Sequence, residues 1–540
     1  MHVHIRSLLL VGLAAVAAAG IWKIAQASPE KGEVVKSAAT QAVAAKGTVG
    51  AAAAPASPYA PPATGVPDGF RGFDGSYAYP TTTPPPPAGG YPWTQSLNGQ
   101  PITPQTAGQY VELLKQYITD DMVTLLSDPR TTSQPSTWDP AKLGWFNQPW
   151  LSPIRDGIHG AYTGSTCFSP VLFPKSGLTQ PFTTYVLVFY NDVAARSLQR
   201  VWGSASLAPD LSNNASQFDE GSIVVKAAFS TADASTWPPM KGALPWTIYL
   251  PTFDCASQTQ AGTPSQFQVS FFQFDIIVKD TKAAPKTGWV FSTLTFDNAV
   301  KAPGGTPASD AWAQMVPLGA MWGNDPQATK AGDTLNENWI NPAAPVYATE
   351  TLGWGGRLSG PNDGAVQNPP YYTCTGAGCN PKTICKDPTT CKLVDVGGPN
   401  MAMSSCMSCH GVSQYAMASF LLPTPLAKIN ATGQPVPGNV QGNLVFFQEG
   451  SDDWMRWFQS RPGTQPQDPA NRQVLAATDY AMNFPFKSLQ YWAKEICINQ
   501  GNPDKAPACS ALANPTKALL MQELREAEET NYQGKKLRMR

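Results

Sequence analysis

Cys406-Met407-Ser408-Cys409-His410 is the segment of this chain whose residue types and spacing could do chemistry. It reads C-x-x-C-H, the pattern by which a c-type haem is attached. Two thiols three positions apart fall on one side of a helical turn. They can add to the two vinyl groups along one edge of a single haem. The histidine that follows directly is carried under the ring, where its imidazole ligates iron. With 10 Cys and 4 His in 540 residues, chance would produce the pattern about one time in a thousand. Two other chemistries use a CxxC pair. Structural zinc wants four nitrogen or sulfur ligands, with a second pair at similar spacing. Cys374/Cys379 and Cys385/Cys391 have wider gaps, five and six positions. A thioredoxin-like dithiol expects a βαβ setting, and this region reads as loops.

The ligand on the other face of an attached iron would decide the function. A Met or His there makes a low-spin electron carrier, and an open position permits small-molecule binding or catalysis. Met482 stands in Ala477-Thr478-Asp479-Tyr480-Ala481-Met482-Asn483-Phe484 and is the candidate distal ligand. Its alternative role is that of a core methionine. Met417 is too near the attachment helix to cross the ring, and Met521 and Met539 fall in the tail. His159, in Arg155-Asp156-Gly157-Ile158-His159-Gly160, is a second candidate, as distal ligand or acid–base group. A lone histidine is otherwise structural.

The rest of the chain has to export, fold around and shelter that motif. Met1–Arg6 is a short start carrying Arg6, Ser7–Trp22 is apolar and small, and Ala25-Gln26-Ala27 fits a cleavage site before Ser28. Residues 1–27 are therefore expected to be a cleaved export signal, with a retained anchor as the alternative. The apolar run is short of the roughly 20 residues that span a bilayer. Export implies a periplasmic or secreted protein, soluble and not integral to a membrane once cleaved, on the side where c-type haem is attached. Residues 28–92 are rich in Ala, Pro and Gly, with Pro84-Pro85-Pro86-Pro87 among them. They read as a flexible linker that cannot bury a core.

Over the whole chain, Lys+Arg 37 against Asp+Glu 38 gives a net charge of -1. That balance excludes a global basic field for nucleic acid. Pro 52 and Gly 45 argue against an all-helical bundle, while 16 Trp and 22 Phe are too many for a wholly disordered chain.

Residues 93–365 read as a β-rich domain. Gln105–Ser127 has helical spacing, with Val111, Leu114, Ile118, Met122 and Leu125 on one stripe. Strands are expected at Thr183–Tyr190, Ser222–Phe229, Thr247–Leu250, Phe267–Val278 and Trp289–Phe296, all rich in β-branched and aromatic residues. Asp192–Trp202 reads as a helix with Asp192 near its N-cap. The fold class is thus α+β, a mainly antiparallel sheet with a few helices, packed against a C-terminal haem segment at 366–512. That segment carries most of the cysteines. Setting aside Cys406 and Cys409 leaves eight, an even number, which in an exported protein favours disulfides. The local pairing is Cys374–Cys379, Cys385–Cys391 and Cys497–Cys509, with Cys167–Cys255 closing the β domain. Residues 513–540 form a polar helix and a basic tail, solvated or used for docking.

Several fragments in order resemble cytochrome P-460 and the cytochrome c′-beta proteins. They are Val188-Phe189-Tyr190-Asn191, Phe218-Asp219-Glu220-Gly221-Ser222-Ile223-Val224-Val225-Lys226, Ile277-Val278-Lys279-Asp280, Thr287-Gly288-Trp289-Val290-Phe291 and Cys406–His410. Asp479-Tyr480-Ala481-Met482 is similar to the acidic-aromatic segment that follows the haem motif in that family. The resemblance covers roughly 160–300 and the haem segment. It implies an antiparallel sheet carrying one haem c, ligated by His410, with an exposed or apolar distal pocket. The family binds nitric oxide or oxidises hydroxylamine, and its oxidising members link a lysine to the haem edge. Lys226 and Lys279 are the lysines in matching strands, and Lys226 is the candidate for such a role; the alternative is a solvent-facing strand lysine. Residues 297–405 and 411–478 depart from the family pattern.

The expectation is an exported monohaem cytochrome transferring single electrons to a partner protein in the periplasm. The first alternative is an open-site haem enzyme or nitric oxide-binding protein acting on a small nitrogen oxide. The second is a structural or docking cytochrome.

Overall fold

The computed structural model describes residues 76–127, 139–148, 156–168, 170–203, 210–211, 214–254, 259–330, 332–363, 372–374, 391–393, 405–411, 413–415, 452–466 and 476–484. The expected signal, residues 28–75 of the expected linker and the C-terminal tail lie outside them.

Nine strands form one sheet in which every pairing is antiparallel. They are β1 (Trp145–Phe146), β2 (Tyr162–Phe168), β3 (Phe182–Asn191), β4 (Ile223–Ser230), β5 (Pro245–Asp254), β6 (Thr259–Lys279), β7 (Trp289–Phe296), β8 (Met315–Met321) and β9 (Asn338–Ile340). The order is β1-β3-β4-β6-β7-β8-β9, with β2 also on β3 and β5 also on β6. The protein is therefore a mostly antiparallel β-sheet with a few helices. Strand β7 matches its sequence expectation, and β3 and β4 differ by a residue at their ends. Strand β6 runs far beyond expectation because β5 pairs with its first half while β4 and β7 take its second half. All eight residues of β7 are buried. Both faces of the sheet centre are covered, so its strands read as nearly continuous apolar runs, not as alternation.

One face is covered by α1 (Ala107–Tyr117) and α2 (Thr119–Leu126). The sequence suggests one helix there. It breaks at Ile118, where the Thr119 hydroxyl bonds back to the Lys115 carbonyl at 2.9 Å, a local bond that competes with a continuous helix. Met122, Leu125 and Leu126 meet Leu187, Phe189, Ala227, Trp246 and Phe274 of the sheet. Helix α3 (Asp192–Trp202) is capped by Asn191, whose side chain accepts from Ala194 N at 2.9 Å and also from Ile223 N at 2.9 Å. One residue thus caps the helix and ties it to β4. Packed structure already begins at Ser76, inside the stretch that composition marks as linker. Ser76 N–H donates to Asn147 Oδ1 at 3.0 Å, and the Tyr79 hydroxyl donates to the Asn147 carbonyl at 2.6 Å.

The register stacks chemistry on the other face. Residues directly opposed across an antiparallel sheet share a face. Lys279 opposes Trp289; Ile277 opposes Phe291, and Phe291 opposes Met321; Lys226 opposes Asp275, and Asp275 opposes Thr293. These three rows underlie the C-terminal elements. They include the one-turn helix α5 (Cys406–His410), whereas the short helix α4 (Pro307–Ala313), which precedes β8, packs on the helix-covered face, its Trp312 meeting Thr119 and Phe274. Two small ladders complete the structure, β10 (Tyr372–Cys374) with β11 (Cys391–Leu393), and β12 (Gln414–Tyr415) with β13 (Ala476–Ala477). The first ladder opposes Cys374 to Cys391 across the strands, a register unlike the local pairing expected for them. Cys379, Cys385, Cys497, Cys509 and Cys255 lie outside the described residues. Among the described residues no helix is long and apolar enough to cross a membrane.

Candidate functional site

Helix α5 is a single turn made of the CxxCH motif itself. Ser405 caps it reciprocally: its hydroxyl accepts from Ser408 N at 3.0 Å, and Ser405 N donates to the Ser408 hydroxyl at 2.7 Å. The cap is fixed in turn by Ser405 Oγ to Asn324 Oδ1 at 2.8 Å, and Cys406 N donates to the Leu358 carbonyl at 3.0 Å. Met407 and Ser408 are buried, and Met407 N reaches the Met321 sulfur on β8 at 3.4 Å. Cys406, Cys409 and His410 occupy the other side of the turn and stay partly accessible. Both cysteines are free thiols. The turn therefore presents its three reactive side chains together and buries the two spacers between them.

A second segment locks the imidazole. His410 Nδ1 lies 2.8 Å from the Tyr480 carbonyl oxygen. A carbonyl can only accept, so Nδ1 carries the proton and Nε2 keeps its lone pair. The ring packs edge-on to Phe291 of β7, centroids 4.9 Å apart. Tyr480 is held by its hydroxyl to the Arg461 carbonyl at 2.8 Å, beneath the Arg461 guanidinium at 5.4 Å from its ring. Arg461 also donates to the Gly411 carbonyl just past the motif. The β12–β13 ladder brings the segment before Tyr480 alongside the residues after His410.

A charged cluster stands at the third sheet row. Lys226 Nζ is 2.8 Å from Asp275 and 2.7 Å from Asp363. Thr293 and Gln273 donate to Asp275, and Gln273 donates to Asp363 as well. Burial alone would lower the lysine; the two carboxylates outweigh it, so its pKa lies above the ordinary value. Burial raises Asp275 despite Lys226, whereas Asp363 is held low because Lys226 and Gln273 overcome its burial. These charges reach the motif. Burial, then the negative charge of Asp363, pushes Cys409 up to about 12 and Cys406 well above the usual thiol value. Burial also lowers His410, against the pull of the Tyr480 hydrogen bond. All three groups are thus held in their neutral forms, the imidazole being the form that ligates metals.

Cys406, Cys409, His410 and Lys226 come together. Met482 follows two residues after the carbonyl that binds the Nδ1 edge of His410, so its segment approaches the ring from the edge away from Nε2. His159 is separated from the motif by the sheet. It is buried, with its backbone N–H donating to Asp156 at 2.7 Å and its ring stacked 4.2 Å over Trp246. Trp246 stacks on Phe229 at 4.7 Å, and Phe229, three positions beyond Lys226 on β4, leaves the strand on the opposite face.

Four supports of the motif were not singled out by composition or spacing: Asn324, Arg357, Arg461 and Asp479. Arg357 is fully buried, between Trp354 at 4.7 Å and Phe458 at 4.6 Å, and donates to the carbonyls of Asn324, Asp325 and Ala328. Burial brings it down to about 10. It braces the loop that holds Ser405. The signal that could have exposed it was an arginine amid Trp354, Gly355 and Gly356 in an apolar stretch.

The donor set fits a covalently held haem: two neutral thiols on one face of a turn, with an imidazole whose Nδ1–H is satisfied and whose Nε2 is left for iron. Among the described residues no group of three or more His, Cys, Asp and Glu converges as a metal site, so a second ligand pair for zinc is not found among them. Comparison with protein-family models, curated proteins and solved structures finds no match to this chain.

Proposed function

We propose that this chain is an exported cytochrome that holds one haem c through Cys406 and Cys409, takes His410 as proximal ligand, and passes single electrons to a partner protein. The observation that carries the reading is the His410 Nδ1 to Tyr480 carbonyl contact of 2.8 Å. Histidines that ligate metals commonly donate their other ring N–H to such an acceptor, which fixes the tautomer and raises ligand basicity. Bound there, haem would supply an iron that changes oxidation state by one electron. The protein's part is to hold the turn by its Ser405 cap, keep water from the imidazole with Phe291, and keep Nδ1 protonated through Tyr480.

A second reading, an iron open at its sixth position to a small nitrogen oxide, is favoured by two observations. The segment of the candidate ligand Met482 meets the Nδ1 edge of His410, and the other candidate, His159, lies across the sheet. The Lys226–Asp275–Asp363 cluster also sets proton-bearing groups beside the thiols, as a chemistry that moves protons with electrons requires. In that reading Lys226 is the residue to follow.

Visible and electron paramagnetic resonance spectra of the periplasmic protein, ferric and ferrous, with and without nitric oxide, separate the two. Low-spin spectra unmoved by the gas mean a carrier with a filled sixth position. A high-spin ferric spectrum that shifts with nitric oxide means an open one. Absence of any haem spectrum overturns both.

A further inference from the structure

We infer that Asp479 is the positioning residue of the proximal histidine, acting on His410 through the backbone carbonyl of Tyr480; this rests on the haem reading above. Asp479 is wholly buried, yet its carboxylate has a full set of partners. Oδ1 accepts from Lys279 Nζ at 2.7 Å and from Trp289 Nε1 at 2.9 Å; Oδ2 accepts from Lys279 at 2.9 Å and from Phe218 N at 2.8 Å. Lys279 and Trp289 are the opposed pair at the sheet row next to Phe291, the residue that packs on His410. The carboxylate therefore pins its segment to the same strands that seat the imidazole.

The pin sits at a turn that needs one. Asp479 and Tyr480 both have left-handed backbones, φ 49° and 62°. Residues other than glycine hold that conformation only when their surroundings impose it. Two in succession redirect the chain so that the Tyr480 carbonyl faces Nδ1. Asp479 N is bonded to the Gly463 carbonyl at 3.2 Å, and a Cβ on Gly463 would overlap the Asp479 carboxylate. Glycine there is what lets the two segments close. Because Lys279 neutralises Asp479, the residue transmits a position more than a charge. Loosening it lengthens the Nδ1–H···O contact, makes the imidazole a weaker donor and so disfavours the ferric state.

The test compares wild type, Asp479→Asn, Lys279→Gln and Tyr110→Phe, the last a change on the helix-covered face that perturbs stability alone. All are made as the haem-loaded full chain. Midpoint potential and the ferrous iron–histidine stretching frequency are read together with melting temperature. Asp479→Asn and Lys279→Gln are expected to keep covalent haem, lower the stretching frequency and raise the potential by about 59 mV, a tenfold change in the ratio of oxidised to reduced protein. Tyr110→Phe is expected to lower the melting temperature and leave both haem readouts alone. Unchanged frequency and potential in both site variants would overturn the inference; if Asp479→Asn does not fold, Lys279→Gln decides it. A readout without haem separates this failure from that of the haem reading. Nitrogen-15 shifts of His410 in the apo chain should report one tautomer, protonated at Nδ1, in wild type and a mixture in Asp479→Asn. Equal tautomer populations in the two would also overturn it.

Discussion

At the residue scale, the thiols of the motif are partly accessible but held in the neutral form, which is not the reactive one, in the folded chain. Cys409, pushed up to about 12 by burial and by Asp363, is held as the thiol at pH 8.5, and the thiolate is the nucleophile. On the proposed reading, haem would be joined before these surroundings close. In chain made without haem, iodoacetamide at pH 8.5 should modify Cys406 and Cys409 far more slowly in the folded protein than in urea, as followed by peptide mass; equal rates would contradict the burial described. The motif was fully legible in the sequence because its five residues are contiguous. Its supports were not. Asp479 finds Lys279 and Trp289 two hundred and one hundred and ninety positions away, and no local pattern encodes such a meeting. Lys226 drew notice only through the resemblance of its strand, and nothing local told that it would face two carboxylates instead of solvent.

At the element scale, the strands were legible where packing and propensity agree. Trp289–Phe296 is a strand by composition and by burial alike. Boundaries were lost where tertiary partners decide them. Strand β6 extends back to Thr259 because β5 is there to pair with it, and the single helix expected over Gln105–Ser127 breaks at Ile118. The one-turn helix α5 is too short to persist on propensity, so its cap should matter. Ser405→Ala removes a hydroxyl that both accepts from Ser408 N and donates to Asn324. It should cost about 1 kcal/mol as a cap, measured by urea unfolding of the full chain. On the opposite face the Tyr110 hydroxyl donates to Asp280 at 2.9 Å, and both are buried. Tyr110→Phe removes one of the two hydroxyls that donate to this carboxylate oxygen, the Thr94 hydroxyl remaining at 2.9 Å, and should cost about 1–3 kcal/mol. A loss below the error of the measurement in either variant would contradict the role given to that bond.

At the scale of the whole molecule, the sheet separates two jobs. Helices α1 and α2 cover one face and complete the core, while the other face carries three polar and aromatic rows that seat the C-terminal motif. A chain with about eighty residues between β8 and its motif thus brings sheet and motif into contact, through Met321 and Phe291. Composition extended the linker to residue 92, but Ser76 and Tyr79 already pack on Asn147, because two side chains suffice to tie down a stretch rich in proline. Removing residues 28–70 should therefore leave the melting temperature unchanged, whereas removing 28–82 should lower it; equal effects would place no stabilising contact at Ser76 and Tyr79. On the proposed reading, Cys406 and Cys409 hold a haem under which His410 is the proximal ligand. The most direct test is the intact mass of protein exported from a host competent in c-type haem attachment, taken after acid-acetone extraction, with the peptide spanning 406–410 sequenced by fragmentation. A mass above that of the chain by one haem, retained through extraction and borne by that peptide, is the expected result. A bare chain, or one differing only by the two hydrogens of a Cys406–Cys409 disulfide, would contradict it.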